Sequence, residues 1–141
     1  MNISNKAKYG IRIMMYIATA SESMMTVQKI FNMEDVSKRY LEQIFSDLKK
    51  QGLVKSIKGK HGGYYIAKPL ADITVYHIIE AIEGKVDLGA LPTEGQKEIE
   101  EVFEEFLWHP LQSNMESLLK GITIENLLNE YHQTQSNMFY I

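Results

Sequence analysis

The chain has 141 residues, 45% of them hydrophobic and 23% charged, with a formal net charge of −3 and no cysteine. That length suits one domain, or one domain with an oligomerising arm, around a core that needs no covalent staple; the missing thiol excludes disulfides, thiol catalysis and thiolate-ligated clusters together. The small net charge hides a division: Met1–Lys68 carries 12 Lys/Arg against 5 Asp/Glu, whereas Pro69–Ile141 carries 3 against 13, so one half can face phosphates while the other repels them.

No charged-then-apolar leader opens the chain and no apolar run approaches about 18 residues, which predicts a soluble cytoplasmic protein. Ser4 is placed to cap a first helix running to about Ala20. Its apolar residues, Ala7, Tyr9, Ile11, Ile13, Met14, Met15, Tyr16, Ile17 and Ala18, cover nearly the whole circumference, as in a helix buried on several sides. Lys6, Lys8 and Arg12 stay polar near its start and are candidates for backbone phosphate contacts. Ser21-Glu22-Ser23 reads as a loop.

Thr26 caps a short second helix reaching about Asn32, with Val27, Ile30 and Phe31 expected to face inward. Met33-Glu34-Asp35-Val36 is a turn, and a third helix spans Ser37 to Gln51 until Gly52 stops it. Leu41, Ile44, Phe45 and Leu48 form an i, i+3, i+4, i+7 core stripe. At about 100° per residue, the opposite side carries Arg39, Gln43, Ser46 and Lys50. Long hydrogen-bonding side chains back to back with a core stripe are what base readout needs, Arg suiting guanine and Gln suiting adenine in the major groove. Ser37, Lys38 and Tyr40 stand at the end that would enter the groove, and Thr26 and Gln28 open the helix that would cross the backbone. A solvated face is the plainer reading of such a helix in isolation. The basic hairpin beside it reverses that choice.

Two β-like runs follow, Leu53–Lys58 and Tyr64–Ala67, hinged on Gly59-Lys60-His61-Gly62-Gly63. The glycines permit a tight turn and close approach to phosphate, with Lys58, Lys60, His61 and Tyr64 as candidate groove contacts. The stretch lacks the following helix and Gly-Lys-Ser/Thr ending of a nucleotide cradle. Helix, turn, helix and basic hairpin together predict a winged helix-turn-helix in a mainly α chain.

Thr74 is placed to cap a fourth helix, Val75 to Glu83, buried through Val75, Ile78, Ile79 and Ile82 and ended by Gly84. Residues 85–95 read as a loop. The longest periodic stretch comes next: Ile99, Val102, Phe103, Phe106, Leu107, Leu111, Met115, Leu118, Leu119 and Ile122. So long a stripe exceeds what a small domain needs for itself and predicts a partner helix from a second chain. Pro110 interrupts it, and a proline inside a helix costs roughly 3 kcal/mol or kinks the axis, so a bend is expected near Trp108-His109. Thr123 is placed to cap a last short helix, Ile124 to Tyr131. Residues 132–137 are polar and loop-like, after which Met138-Phe139-Tyr140-Ile141 forms an apolar end that wants a pocket on its own dimer or on a partner. The expected organisation is a DNA-binding unit over 1–84, a loop and dimerisation helices over 85–131, and a tail over 132–141.

The blocks Ile3-Ser4-Asn5-Lys6-Ala7-Lys8-Tyr9-Gly10, Ser37-Lys38-Arg39-Tyr40-Leu41-Glu42-Gln43, Gly52-Leu53-Val54, Gly59-Lys60-His61-Gly62-Gly63-Tyr64 and Ile73-Thr74-Val75 through Glu83-Gly84 occur in one order. Their combination resembles the Rrf-two family of bacterial winged-helix transcription regulators, over about residues 1–84. Leu107-Trp108 and Ile122-Thr123-Ile124 with Leu127 are similar to that family's dimerisation helix and its sequel. The resemblance implies a homodimer with two wings and two recognition helices on an inverted-repeat operator in double-stranded DNA, usually as a repressor.

Two departures stand out. Many members hold an iron–sulfur cluster through cysteines after the fourth helix; this chain has none, so no cofactor is expected. Lys58 stands where the family often has Arg, a point charge replacing a fork. A cysteine-free chain ending in Met-Phe-Tyr-Ile resembles the branch that represses cysteine and sulfur metabolism genes and is regulated by complex formation with cysteine synthase. The resemblance implies that Met138, Phe139, Tyr140 and Ile141 enter that enzyme's cleft. The alternative is a family repressor of other genes that senses a small molecule or stress without a cluster. An enzyme is not expected, because His61, His77, His109 and His132 are scattered without ligand spacing and no nucleophile–base pair is readable.

Overall fold

Five helices start at a hydroxyl residue whose side chain accepts a backbone N–H of the first turn: Ser4 from Ala7, Thr26 from Lys29, Ser37 from Tyr40, Thr74 from His77 and Thr123 from Asn126. Each cap satisfies a donor the helix itself leaves unpaired, and in that way the sequence punctuates itself. A computed structural model of the protein describes residues 3–88 and 96–139. In chain order these form α1 (Asn5–Thr19), α2 (Val27–Met33), α3 (Lys38–Lys50), β1 (Val54–Ile57), β2 (Gly63–Ile66), a 3-10 turn (Leu70–Asp72), α4 (Val75–Glu83), α5 (Lys97–Phe103), α6 (His109–Lys120) and α7 (Ile124–Met138). A π-helical turn, Glu104–Trp108, joins α5 to α6.

The main core gathers Ile13, Met14 and Ile17 from α1, Ile30 from α2 and the α3 stripe Leu41, Ile44, Phe45 and Leu48. Leu53 and Val54 of the hairpin, Ile73 and Ile78 around α4, and Ile124 of α7 complete it. A second cluster joins Ala7 to Val75 and Ile79, with Leu119, Ile122 and Leu127 packed against it. Gly10 lets α1 and α4 close on each other, since a Cβ there would stand 3.2 Å from Ile82 Cγ1 and 3.3 Å from Ile78 Cγ2.

The hairpin is antiparallel, with Val54 opposite Ile66 and Ile57 opposite Gly63. Met25 bridges the other edge of β2: its N–H donates to the Tyr64 carbonyl at 2.9 Å and its carbonyl accepts from the Tyr64 N–H at 2.7 Å. A similar suture joins two helix starts, where the Val75 N–H donates to Ile122 O at 2.8 Å and the Ile124 N–H to Ile73 O at 2.9 Å. The end of the arm is thereby fixed to the start of α4 in its own chain.

Several expectations are corrected. Phe31 lies on the surface, with the Lys38 ammonium 5.2 Å from its ring centroid, so α2 faces the core through the buried Ile30 and the half-buried Val27. The helix runs on through Pro110 by way of the π turn instead of breaking there. The His109 N–H bonds back five residues to the Glu104 carbonyl, so the register slips by one where the proline has no donor to offer. Residues 132–137 are helical, not loop: α7 continues through them to Met138. A hydrogen bond from Gln135 Nε2 to the Tyr131 hydroxyl, 2.7 Å, spans one turn of that polar stretch. In the apolar stripe, Ile99, Val102, Phe103, Phe106, Leu107 and Leu118 are exposed, Leu111 and Met115 are half-buried, and Leu119 and Ile122 pack home.

Candidate nucleic-acid interface

Helix α3 stands in the core by one stripe and leaves Arg39, Gln43, Ser46 and Lys50 exposed. At its start, Ser37 spends its hydroxyl as the cap of Tyr40, Lys38 reaches over Phe31, and Tyr40 is half-buried with its ring edge-on to Tyr9 at 5.9 Å. The helix end is tied to the wing by Lys49 Nζ, which donates to Ser56 Oγ at 2.8 Å. Of the residues in α2, Thr26 is committed to its cap and Gln28 donates to Asn32 Oδ1 at 2.9 Å.

The wing tip presents Lys58, Gly59, Lys60 and His61 to solvent. Its glycines serve the turn itself. Gly59 has φ +110, which L side chains rarely adopt, and a Cβ on Gly62 would meet the Ile57 carbonyl oxygen at 2.1 Å. Gly63 sits against Met25 O and Met24, so close packing, more than approach to phosphate, accounts for it. The Tyr64 ring stacks on Phe45 with centroids 4.1 Å apart, so this half-buried residue supports α3 from the wing.

On α1, Lys8 is exposed, but Lys6 Nζ is bound to Asp47 Oδ2 at 2.8 Å. Arg12 is bound to Glu34, which also accepts from the Tyr16 hydroxyl. The Tyr16 hydroxyl and the Arg12 guanidinium hold the Glu34 carboxyl below its ordinary range, and Glu34 in turn raises Arg12. Burial, then Glu34, pushes the Tyr16 phenol up. This three-residue knot was invisible in the sequence, where its members are separated by a loop and a helix. The candidate partner-binding residues Met138 and Phe139 are exposed, and Tyr140 and Ile141 lie outside the described residues, as do residues 89–95 of the loop.

A helix with an exposed polar face, capped at its groove end and flanked by a basic hairpin, defines a winged helix-turn-helix DNA-binding fold. The Rrf2 family model, described as an iron-dependent transcriptional regulator, matches residues 3–130. The chain belongs to that family of transcriptional regulators. It is 34% identical over 143 residues to the HTH-type transcriptional regulator CymR of Bacillus subtilis (strain 168), with 100% of each chain covered. It is 32% identical over 131 residues to the regulator IscR of Photorhabdus laumondii, covering 92% of this chain and 80% of that one. The structure of CymR (YrzC), the global cysteine regulator of B. subtilis, matches with a TM-score of 0.78 at 30% identity, over 92% of this chain and 98% of that one. T. potens IscR matches with a TM-score of 0.72 at 29% identity, over 96% and 91%.

The iron in the family's description does not fit this chain's donors. With no cysteine in the sequence there is no thiolate for a cluster, and among the described residues no group of three or more His, Asp or Glu is placed to hold a metal. Among the described residues, no helix is long and apolar enough to cross a membrane.

Proposed function

We propose that the protein is a homodimeric repressor of cysteine and sulfur metabolism genes, with α3 in the major groove of each half-site and the wing across the neighbouring minor groove. The observation that carries the reading is the α3 face of Arg39, Gln43, Ser46 and Lys50, left uncovered while every apolar residue of its core stripe is buried. Lys8, Lys38, Lys58, Lys60 and His61 flank it as phosphate or minor-groove contacts. The exposed run Ile99, Val102, Phe103, Phe106, Leu107 and Leu118 supplies the dimer face, continued by the half-buried Leu111 and Met115. The relation to CymR over the full chain supports the cysteine-metabolism assignment.

Fluorescence anisotropy with inverted-repeat duplexes tests the readout. Arg39→Ala or Gln43→Ala should cost about 1–3 kcal/mol at one base position each, whereas Lys60→Ala should weaken all sequences alike. An identical uniform loss for all three overturns the assignment. Genome-wide footprinting tests the genes: operators away from sulfur metabolism favour the alternative of a family repressor with another signal, a reading supported by the similar identity to IscR.

Control by cysteine synthase through Met138–Ile141 is part of the proposal, supported by the exposure of Met138 and Phe139 at the end of α7. Deleting Phe139–Ile141 should abolish capture of cysteine synthase and leave the dimer intact. A collapsed dimer would instead mean that the tail packs at home.

A further inference from the structure

Two cations of α1 are drawn onto the helix-turn-helix, Lys6 by Asp47 of α3 and Arg12 by Glu34 at the turn; Arg12 is the more exposed of the two. Its Nη1 lies 3.0 and 3.1 Å from the two carboxylate oxygens of Glu34, the residue that ends α2 and opens the turn towards α3. The Glu34 side chain is 11% exposed and that of Arg12 is 54% exposed. A largely covered acid thus holds a cation at the surface. The guanidinium also lies over the Tyr9 ring, 5.2 Å from its centroid, and Tyr9 meets Tyr40 at the start of α3. Asn5, Lys8, Tyr9 and Arg12 line a cavity of about 210 Å³ on this face. The cation therefore stands beside the groove-entering end of α3, where a duplex backbone would pass.

A guanidinium free at that place would fork onto a phosphate. Glu34 competes for it from within hydrogen-bonding distance, and the Tyr16 hydroxyl fixes the carboxylate that does so. We propose that Glu34 is a positioning residue that limits DNA affinity: it keeps Arg12 on the protein, so that the complex makes one phosphate contact fewer than its cations allow. The restraint acts on every sequence alike. It sets the salt dependence and the background affinity while base readout stays with α3. The inference rests on the DNA-binding reading above.

The test is the slope of log affinity against log salt concentration, measured for an operator duplex and a scrambled duplex. Glu34→Gln should steepen the slope by about 0.9, one released phosphate contact, and tighten both duplexes several-fold by similar factors. Arg12→Gln/Glu34→Gln, which conserves net charge, should return the slope to that of the wild type. An unchanged slope in Glu34→Gln overturns the inference. So does a double variant whose slope is shallower than wild type by about 0.9, because Arg12 would then already be on a phosphate. If Glu34→Gln fails to fold, Glu34→Asp, whose shorter carboxylate gives up the two-oxygen hold on Arg12, takes its place and should steepen the slope in the same direction; an unchanged slope there overturns the inference. A wild-type protein that binds neither duplex defeats the DNA-binding reading instead, and the two failures are therefore distinguishable.

Discussion

Phe106 is 75% exposed in the single chain, and its truncation is the sharpest probe of the proposed dimer face. Full burial of a phenylalanine side chain stabilises by about 1.5–3 kcal/mol. Three-quarters of that, about 1–2 kcal/mol, is still available to a partner. A two-fold interface loses it twice, so Phe106→Ala should weaken the dimer by roughly 2–4 kcal/mol. At about 1.4 kcal/mol per tenfold, the dissociation constant rises roughly thirty- to several-hundred-fold. Sedimentation equilibrium over a dilution series reads this directly. The monomer itself should hardly notice, since surface changes usually stay within about 0.5 kcal/mol; urea unfolding at concentrations where both proteins are monomeric checks that half. A dimer constant within a few-fold of wild type, or a monomer destabilised as a core residue would destabilise it, refutes the reasoning.

Ile124→Ala should behave in the opposite way: the residue is 0% exposed in the main core, so unfolding should become easier by about 2–5 kcal/mol, read as a shift of the urea midpoint at constant m-value. Gly62→Ala drives a Cβ to 2.1 Å from the Ile57 carbonyl oxygen, which should open the wing turn and weaken binding to operator and scrambled duplex together in anisotropy titrations. Glu34 titrates below its ordinary value of 4.5, chiefly through the Tyr16 and Arg12 hydrogen bonds. Its contribution to stability is therefore complete above that value and is lost as pH falls through the lowered one. Urea midpoints measured from pH 7 to pH 3 should fall less steeply in Glu34→Gln than in the wild type.

What could be read in advance was whatever is encoded within a few residues. The caps Ser4, Thr26, Ser37, Thr74 and Thr123 were legible because a hydroxyl before an apolar period has a local job. The α3 stripe was legible for the same reason, since both its period and its polar back are local. The packing of Tyr64 was not legible because a tyrosine after a basic glycine loop looks the same whether or not its ring stacks on Phe45, and the bridge to Met25 comes from a distant residue. Phe31 was misplaced because a helix as short as α2 has too few turns to define a face. Lys6 and Arg12 were counted as free cations, and the acids that take them, Asp47 and Glu34, come from other helices. Polar residues 132–137 looked like a loop because helix propensity is a weak prior, and nothing local forbids continuation from Tyr131.

The register slip at Pro110 bears on more than the proline. One extra residue in a turn shifts all that follows by about 100°, so the spacing read along an unbroken helix is not kept across Glu104–Trp108. Before the π turn, Ile99, Val102 and Phe103 look outward; after it, Leu118 is still exposed, Leu111 and Met115 are half-buried, and Leu119 and Ile122 pack home. The rod therefore has two allegiances, and its far end is sutured at Val75 and Ile124 to the element that packs against α1 and α3. In the proposed dimer this makes the distance between the two recognition helices a property of the arm. Half-sites one DNA turn apart, about 34–36 Å, demand that spacing. Removing the slip with Pro110→Ala should consequently disturb operator spacing preference before it disturbs the fold. Titration against inverted repeats lengthened or shortened by single base pairs should show a broadened or shifted optimum; an unchanged optimum with an unchanged melting temperature would mean that the π turn sets nothing beyond itself.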